Sequence, residues 1–319
     1  MKRLFPFLFV LLSGLSCKQD SLGPLNGVLV VYSDSLAEFI DAGGIDNLHL
    51  IVETVDPEEV FNFSFAATSQ FQGTLKERRI ILLLLAPSEA DLIPGNLEQD
   101  DNGVYIGENV WALDQQVFAV VIDPESPVLS DVLPGYLEDA YNLQMTNYVY
   151  KSFVSTGMSS EVRIDSLAEL GFTIDIPKSF LTAFWIPESG FIQYHRQPDD
   201  ESFLLFSILV MKTEAELTDS NAVLAREAMA RNYFFDASAD SVDRARVSSA
   251  QISINGLQGL ELTGVWRNPE YLNAGSFTAR VFDIGDEWYI LDMEVYNPGR
   301  EKEPYLREGW IIMDTFLKE

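Results

Sequence analysis

Few side chains in this sequence have the type and spacing to carry chemistry. There are two histidines, His49 and His195, and one cysteine, Cys17. Neither histidine stands in an H-E-x-x-H or another paired-ligand spacing, so no zinc site is expected. His49, between Leu48 and Leu50, reads as a polar-face strand residue, and His195, in Gln193-Tyr-His-Arg196, as a surface strand residue. No G-x-S-x-G elbow, G-x-G-x-x-G run or Walker loop occurs. A Ser–His–Asp triad can assemble from any chain order, so sequence neither names nor excludes one. The same holds for two carboxyls ~5–9 Å apart, the arrangement used in glycoside hydrolysis. With 49 acidic residues, any pair picked by eye is arbitrary. Glu98, Asp100 and Asn102 followed by Gly103 imitate the start of a calcium loop, but the closing position, 109, is Asn where a bidentate Glu is required. A solvated acidic turn is expected there, and no metal or cofactor.

The most distinctive phrase is Gly264-Val-Trp-Arg267. On a strand, Leu260, Leu262, Gly264 and Trp266 share one face, and Thr263, Val265 and Arg267 the other. The plain expectation is that Trp266 fills a core beneath helices and Arg267 answers a carboxylate. Trp and Arg are also the residues binding surfaces favour. Trp266, Arg267, Arg196 and Arg307 are therefore the candidate partner surface, in a chain with only 21 basic residues.

Cys17 carries an address. Met1-Lys2-Arg3 is a basic start, Leu4 to Leu12 is apolar apart from Pro6, and small residues lead to Cys17. These are the three parts of a secretory leader, with an apolar core too short to span a bilayer. A small residue directly before the cysteine is the bacterial lipoprotein pattern, in which the thiol is acylated and becomes the first mature residue. Gly14 stands three before the cysteine, where Leu or Val is usual. The expected product is lipid-anchored in the cell envelope, at the outer membrane, facing the periplasm or the cell surface. A formal charge of −28 repels phosphate backbones and argues against nucleic acid as a partner.

The elements that must position these residues fall into two halves. Residues 1–16 are the leader and 17–26 a tether. Residues 27–156 alternate short strands and helices: strands at 28–32, 48–55, 61–65, 80–85 and 110–122, a loop or hairpin at 97–108, and a helical stretch over 127–153 that Pro134 breaks or kinks. A composition shift at 155–160 marks the boundary. Residues 157–319 read as strands at 171–177, 191–196 and 203–211, a helix over 221–234 capped by Asp219-Ser220, two hairpins, and a helix from Pro304. Asn255-Gly256 is a tight-turn signal between 251–254 and 257–266. The fold class expected is α+β in two domains: an N-terminal α/β sandwich of mixed sheet and helices, then an antiparallel sheet with helices on one face. The latter order resembles the fold shared by the PsbP photosystem proteins and the Mog1 Ran-binding proteins, which implies fold alone.

Several phrases, in order along the chain, are similar to a lipoprotein family of Bacteroidota known as a domain of unknown function. They include Gly27-Val-Leu-Val-Val31, Asn109-Val-Trp-Ala112 followed by Gln116, Gly171-Phe-Thr-Ile-Asp-Ile-Pro-Lys178, Gly264-Val-Trp-Arg267, Gly275-Ser-Phe-Thr278 and Tyr305-Leu-Arg-Glu308. The resemblance implies a lipid-anchored envelope protein and offers no activity or functional residues. Two readings follow. One is a non-enzymatic binding or adaptor module holding an envelope protein or a small ligand. The alternative is an envelope hydrolase acting on glycan or peptide through carboxylates or a hidden serine triad. The absence of catalytic motifs favours the first.

Overall fold

A computed structural model describes residues 18–125, 127–150, 167–168, 170–234 and 237–318. Cys17, the leader and the composition shift at 155–160 lie outside the described residues. By packing, the chain forms two compact units: the chain up to Ala42 with Phe63–Val128, and Gly43–Asn62 with Leu129–Glu319.

The first unit holds a six-stranded mixed sheet of β1 (Gly27–Tyr32), β2 (Asn62–Ala67), β3 (Ile80–Leu85), β4 (Glu98–Gln99), β5 (Tyr105–Glu108) and β6 (Gln116–Val121), in the order β2-β1-β3-β6-β5-β4. β1, β3 and β6 are parallel, and β4 and β5 return antiparallel. The central β3, Ile-Ile-Leu-Leu-Leu-Leu, is buried at every position, as the middle strand of a parallel set should be. Its helices are short, the longest α-helix being α1 (Ala37–Asp41). The expected tether is not free. The Ser21 and Leu22 N–H groups donate to the Leu113 and Glu77 carbonyls, which ties 20–22 to this sheet's loops. One buried amide, Gln115, holds the 109–115 turn. Its Oε1 accepts from the Trp111 and Ala112 N–H groups, and its Nε2 donates to the Lys76 and Arg78 carbonyls.

The second unit is a seven-stranded antiparallel sheet of β7 (Leu181–Ile186), β8 (Phe191–Arg196), β9 (Phe203–Lys212), β10 (Ser241–Ile254), β11 (Leu257–Asn268), β12 (Asn273–Ile284) and β13 (Glu287–Tyr296). The order is β7-β8-β9-β13-β12-β11-β10. Asn255 and Gly256 both take positive φ, 50° and 83°, so the β10–β11 hairpin turns as its dipeptide predicts. The helices described over their full length in this unit include α2 (Leu133–Tyr150), α3 (Asp219–Tyr233) and α4 (Glu303–Met313). α3 is capped by Thr218, one residue before the expected Asp219-Ser220 pair.

The α+β class with an antiparallel second sheet is as expected, but the helices cover both faces of that sheet rather than one. Tyr289, Leu291, Met293 and Val295 of β13 meet Leu306, Ile312 and Met313 on the α4 side. The alternate residues Trp288 and Ile290 join Ala222, Val223, Met229 and Ala230 on the α3 side. Apolar residues at both parities of the central strands demand a cover on each side.

The packing also moves the division between units. α2, expected in the first domain, packs with α4 in the second, where Tyr141 donates to Glu303 at 2.9 Å. Pro134 lies in its first turn, where it starts the helix instead of breaking it. The strand expected at 48–55 reduces to Ile51–Val52 paired with Glu58–Glu59. That ribbon serves α4: Glu58 accepts from the Lys302 and Glu303 N–H groups at 2.7 and 2.8 Å, capping a helix that has no cap from its own side chains.

α4 approaches the sheet closely at Gly309, where a Cβ would lie 2.6 Å from the Met293 Cβ. Gly309→Ala should therefore cost about 1–3 kcal/mol from overpacking, although alanine is the better helix former. A urea midpoint at or above wild type would refute that close approach.

Candidate ligand pocket on the helix-covered sheet face

The site begins with an arginine on a buried stripe. In α3, residues Ala222, Val223, Arg226, Met229 and Ala230 recur at helical spacing and all face the sheet. Arg226 is 1% exposed. Its Nε donates to Asp292 at 2.9 Å and its Nη2 to Glu294 at 2.6 Å, while the guanidinium stacks over Phe277 at 4.1 Å. Asp292 and Glu294 stand two apart on β13, so they share the face that α3 covers.

Beside Glu294 a cavity of about 200 Å³ opens, walled by Phe203 and Leu205 of β9, Phe234 and Ala237 after α3, and Trp266, Asn268, Tyr271 and Asn273 around the β11–β12 turn. Asp240 completes it. Asn268 fixes this corner: its Nδ2 donates to Asp240 at 2.6 Å, and its Oδ1 accepts from the Glu270 and Tyr271 N–H groups. Two polar atoms of the lining are buried without a hydrogen-bond partner, Trp266 Nε1 and Asn273 Oδ1. Such atoms are costly to leave unmet, and Trp266 Nε1 is packed against Gly275.

Three buried carboxyls share one buried guanidinium here. Burial pushes Glu294 up to about 8, and the neighbouring Asp292 and Asp240 push the same way, against the pull of Arg226. Asp292 is raised by burial against Arg226. Asp240 is raised by burial too, partly offset by its Asn268 bond. For Arg226, burial opposes the charge but Asp292 and Glu294 outweigh it, so the cation persists. At neutral pH the pocket therefore holds Glu294 mostly as the neutral acid, a hydrogen-bond donor.

The four residues expected to form a partner surface do not form one. Trp266 is 3% exposed and lines the pocket. Arg267, next along β11, is more than half exposed and pairs with Asp243. Arg196 pairs with Glu308 at 2.5 Å on the α4 side and lies over Phe180. Arg307 is 1% exposed, bonded to Glu303 and Asn142 at 2.6 Å each, and stacked on Tyr141. Alternation along a strand separates Trp266 from Arg267, and burial takes Arg307 out of reach of any partner. His49 approaches Glu59 at 3.3 Å, and His195 sits in β8. In the acidic turn, Asp100 accepts from the Asn102 and Val104 N–H groups. Among the described residues no group of three His, Cys, Asp or Glu is placed to hold a metal ion.

Sequence reasoning missed Arg226, Asp240, Asn268, Asn273, Asp292 and Glu294. Two signals were present: an arginine inside the apolar stripe of α3, and two acids at one parity of a strand otherwise apolar at both.

No curated protein matches the chain. Among solved structures, it is similar to cyanobacterial PsbP (CyanoP) from Synechocystis sp. PCC 6803, at 10% identity over 53% of this chain and 95% of that one, with a TM-score of 0.33. It is also similar to a protein from Bacteroides thetaiotaomicron VPI-5482, at 12% identity over 47% of this chain and 45% of that one, with a TM-score of 0.22. At these scores neither likeness carries a function to this chain. Residues 160–315, which contain every side chain of the pocket, match the family model described as Domain of unknown function (DUF4837).

Proposed function

We propose that this chain is a lipid-anchored envelope protein of the Bacteroidota type whose second unit binds a small polar ligand without transforming it. The observation that supports the binding reading is the cavity itself, where Asp240, Asn268, Asn273 and Glu294 meet the aromatic walls of Phe203, Trp266 and Tyr271. The acids beside them are already engaged, Glu294 by Arg226 and Asp240 by Asn268, which suits recognition better than nucleophilic attack. The anchor rests on the leader and Cys17. Among the described residues no helix is long and apolar enough to cross a membrane.

Two measurements test this. Cys17→Ser should move the protein from the membrane to the soluble fraction and abolish labelling by a radioactive fatty acid; retention of both label and membrane fraction would remove the anchor. A thermal-shift panel of small polar compounds should stabilise the wild type, with the effect reduced in Asn273→Ala. A panel that shifts neither protein would remove the binding reading.

The hydrolase reading has one observation in its favour. A carboxyl held protonated up to about 8 beside a second acid is the equipment of general acid catalysis. Release of reducing sugar or peptide fragments by the wild type, lost in Glu294→Gln, would replace the binding reading with this one.

A further inference from the structure

Residues 18–23 leave the chain no slack. The Gln19 carbonyl accepts from the Leu113 N–H at 2.8 Å, and the Ser21 N–H donates back to the Leu113 carbonyl at 3.0 Å. The Leu22 N–H donates to the Glu77 carbonyl at 2.7 Å, and Arg79 Nε donates to the Gly23 carbonyl at 2.9 Å. The Lys18 ammonium bonds the Asn109 carbonyl. Cys17 stands two residues before Gln19, a distance that the chain can span by no more than about 7 Å. An acyl group on Cys17 would therefore bring the 109–115 turn to the lipid surface with it.

That turn belongs to one edge of the first sheet. β1, β3 and β6 run parallel, so the segments that lead into them, 18–26, 73–79 and 109–115, share the edge at their N-terminal ends. Leu22 is 44% and Leu113 42% exposed there, and Lys76 lies over the rings of Phe71 and Trp111. The charge of this edge is unlike that of the chain as a whole. In these segments Lys18, Lys76, Arg78 and Arg79 outnumber Asp20, Glu77 and Asp114. The segments that leave the same strands at the opposite edge, 33–42, 86–93 and 122–125, carry three, two and two acids and no lysine or arginine.

We propose that this N-terminal edge of the first sheet lies against the lipid headgroups, with Leu22 and Leu113 toward the acyl boundary and the acidic edge turned away. The proposal rests on the reading of Cys17 as the acylated residue. A bilayer surface suits both kinds of side chain here: the apolar ones gain by leaving water, and the basic ones by approaching anionic headgroups. The same headgroups repel the acidic edge. The six residues of β3 set the two edges about 20 Å apart.

The test uses the scarcity of cysteine. Cys17 is the only one, and in the anchored protein its thiol is acylated, so Leu22→Cys, Leu113→Cys and Ser88→Cys each add one thiol open to a fluorescent label. All three positions are exposed, so the fold is not at stake, and Ser88 lies at the acidic edge. Each labelled, anchored chain is reconstituted into vesicles of phosphatidylethanolamine and phosphatidylglycerol that carry a doxyl quencher near the headgroup. Quenching at 22 and at 113 should exceed that at 88 by at least about twofold, since ~20 Å of strand separates the two edges. Quenching at 22 and 113 no greater than at 88, in protein that floats with the vesicles, overturns the lipid-facing edge and leaves the anchor standing. Protein that does not float with the vesicles overturns the anchor and the lipid-facing edge together.

Discussion

Replacing Arg226 with methionine should destabilise the protein by about 3–5 kcal/mol, the loss seen when one partner of a buried ion pair is removed. Methionine keeps most of the stem and packs on Phe277, so the loss falls on electrostatics. Asp292 is 0% and Glu294 3% exposed, so both would stay buried without their cation. Both would be driven to their neutral forms, so the defect should be larger at pH 8 than at pH 5. Arg267→Met is the control: its partner is Asp243 and its side chain is more than half exposed, so the change should stay within about 1 kcal/mol. Urea unfolding at both pH values decides the matter. A loss for Arg226→Met no larger than the control's would mean that the triad contributes nothing net.

The second expected result is a protein that loses stability as the medium turns alkaline. Glu294 is pushed up to about 8 and Glu308 to about 7, each first by burial, from an ordinary value of 4.5. Arg226, Asp292 and Asp240 face the first, and Arg196 the second. A raised folded-state value means the folded form holds a proton that the unfolded form has released. That contribution is whole below pH 4.5 and is lost as pH rises through 7 and 8. Each group adds a slope of up to about 1.4 kcal/mol per pH unit. At roughly 2–4 °C per kcal/mol for a domain of this size, Tm should fall by about 15–25 °C between pH 5 and pH 8.5. Glu308→Gln, an amide that cannot ionise, should make the fall shallower between about pH 5 and pH 7 and leave the Glu294 slope up to pH 8. A Tm that is level or rising over that range would show that both acids are ionised in the fold.

Much of the fold was legible because local rules and tertiary demands agree. The hairpin at Asn255-Gly256 needs two positive φ angles, and that dipeptide tolerates them. β9 is a long apolar stretch, and its burial follows from composition. α3 lies within two residues of its expected bounds at each end. The misses share a cause. β7 is largely exposed at a sheet edge, so its Leu-Thr-Ala-Phe-Trp-Ile has no buried face to impose a period. Ile51–Val52 is too short to show one. The owner of α2 depends on a partner over 150 residues away.

The pocket lay further out of sight. Asp292 and Glu294 alternate with Leu291, Met293 and Val295, which in sequence is the signature of a strand with one wet face. Only the packing of α3 turns that face inward, and only Arg226, 66 and 68 residues away, makes it tolerable. The sequence by itself determined the leader pattern ending at Cys17, the acidic surface, the α+β order and the tight turns, because each depends on neighbours in the chain. The tertiary structure alone decided which acids are buried, which arginine answers them and where a cavity is left, because burial and charge pairing depend on residues brought together from distant strands and helices.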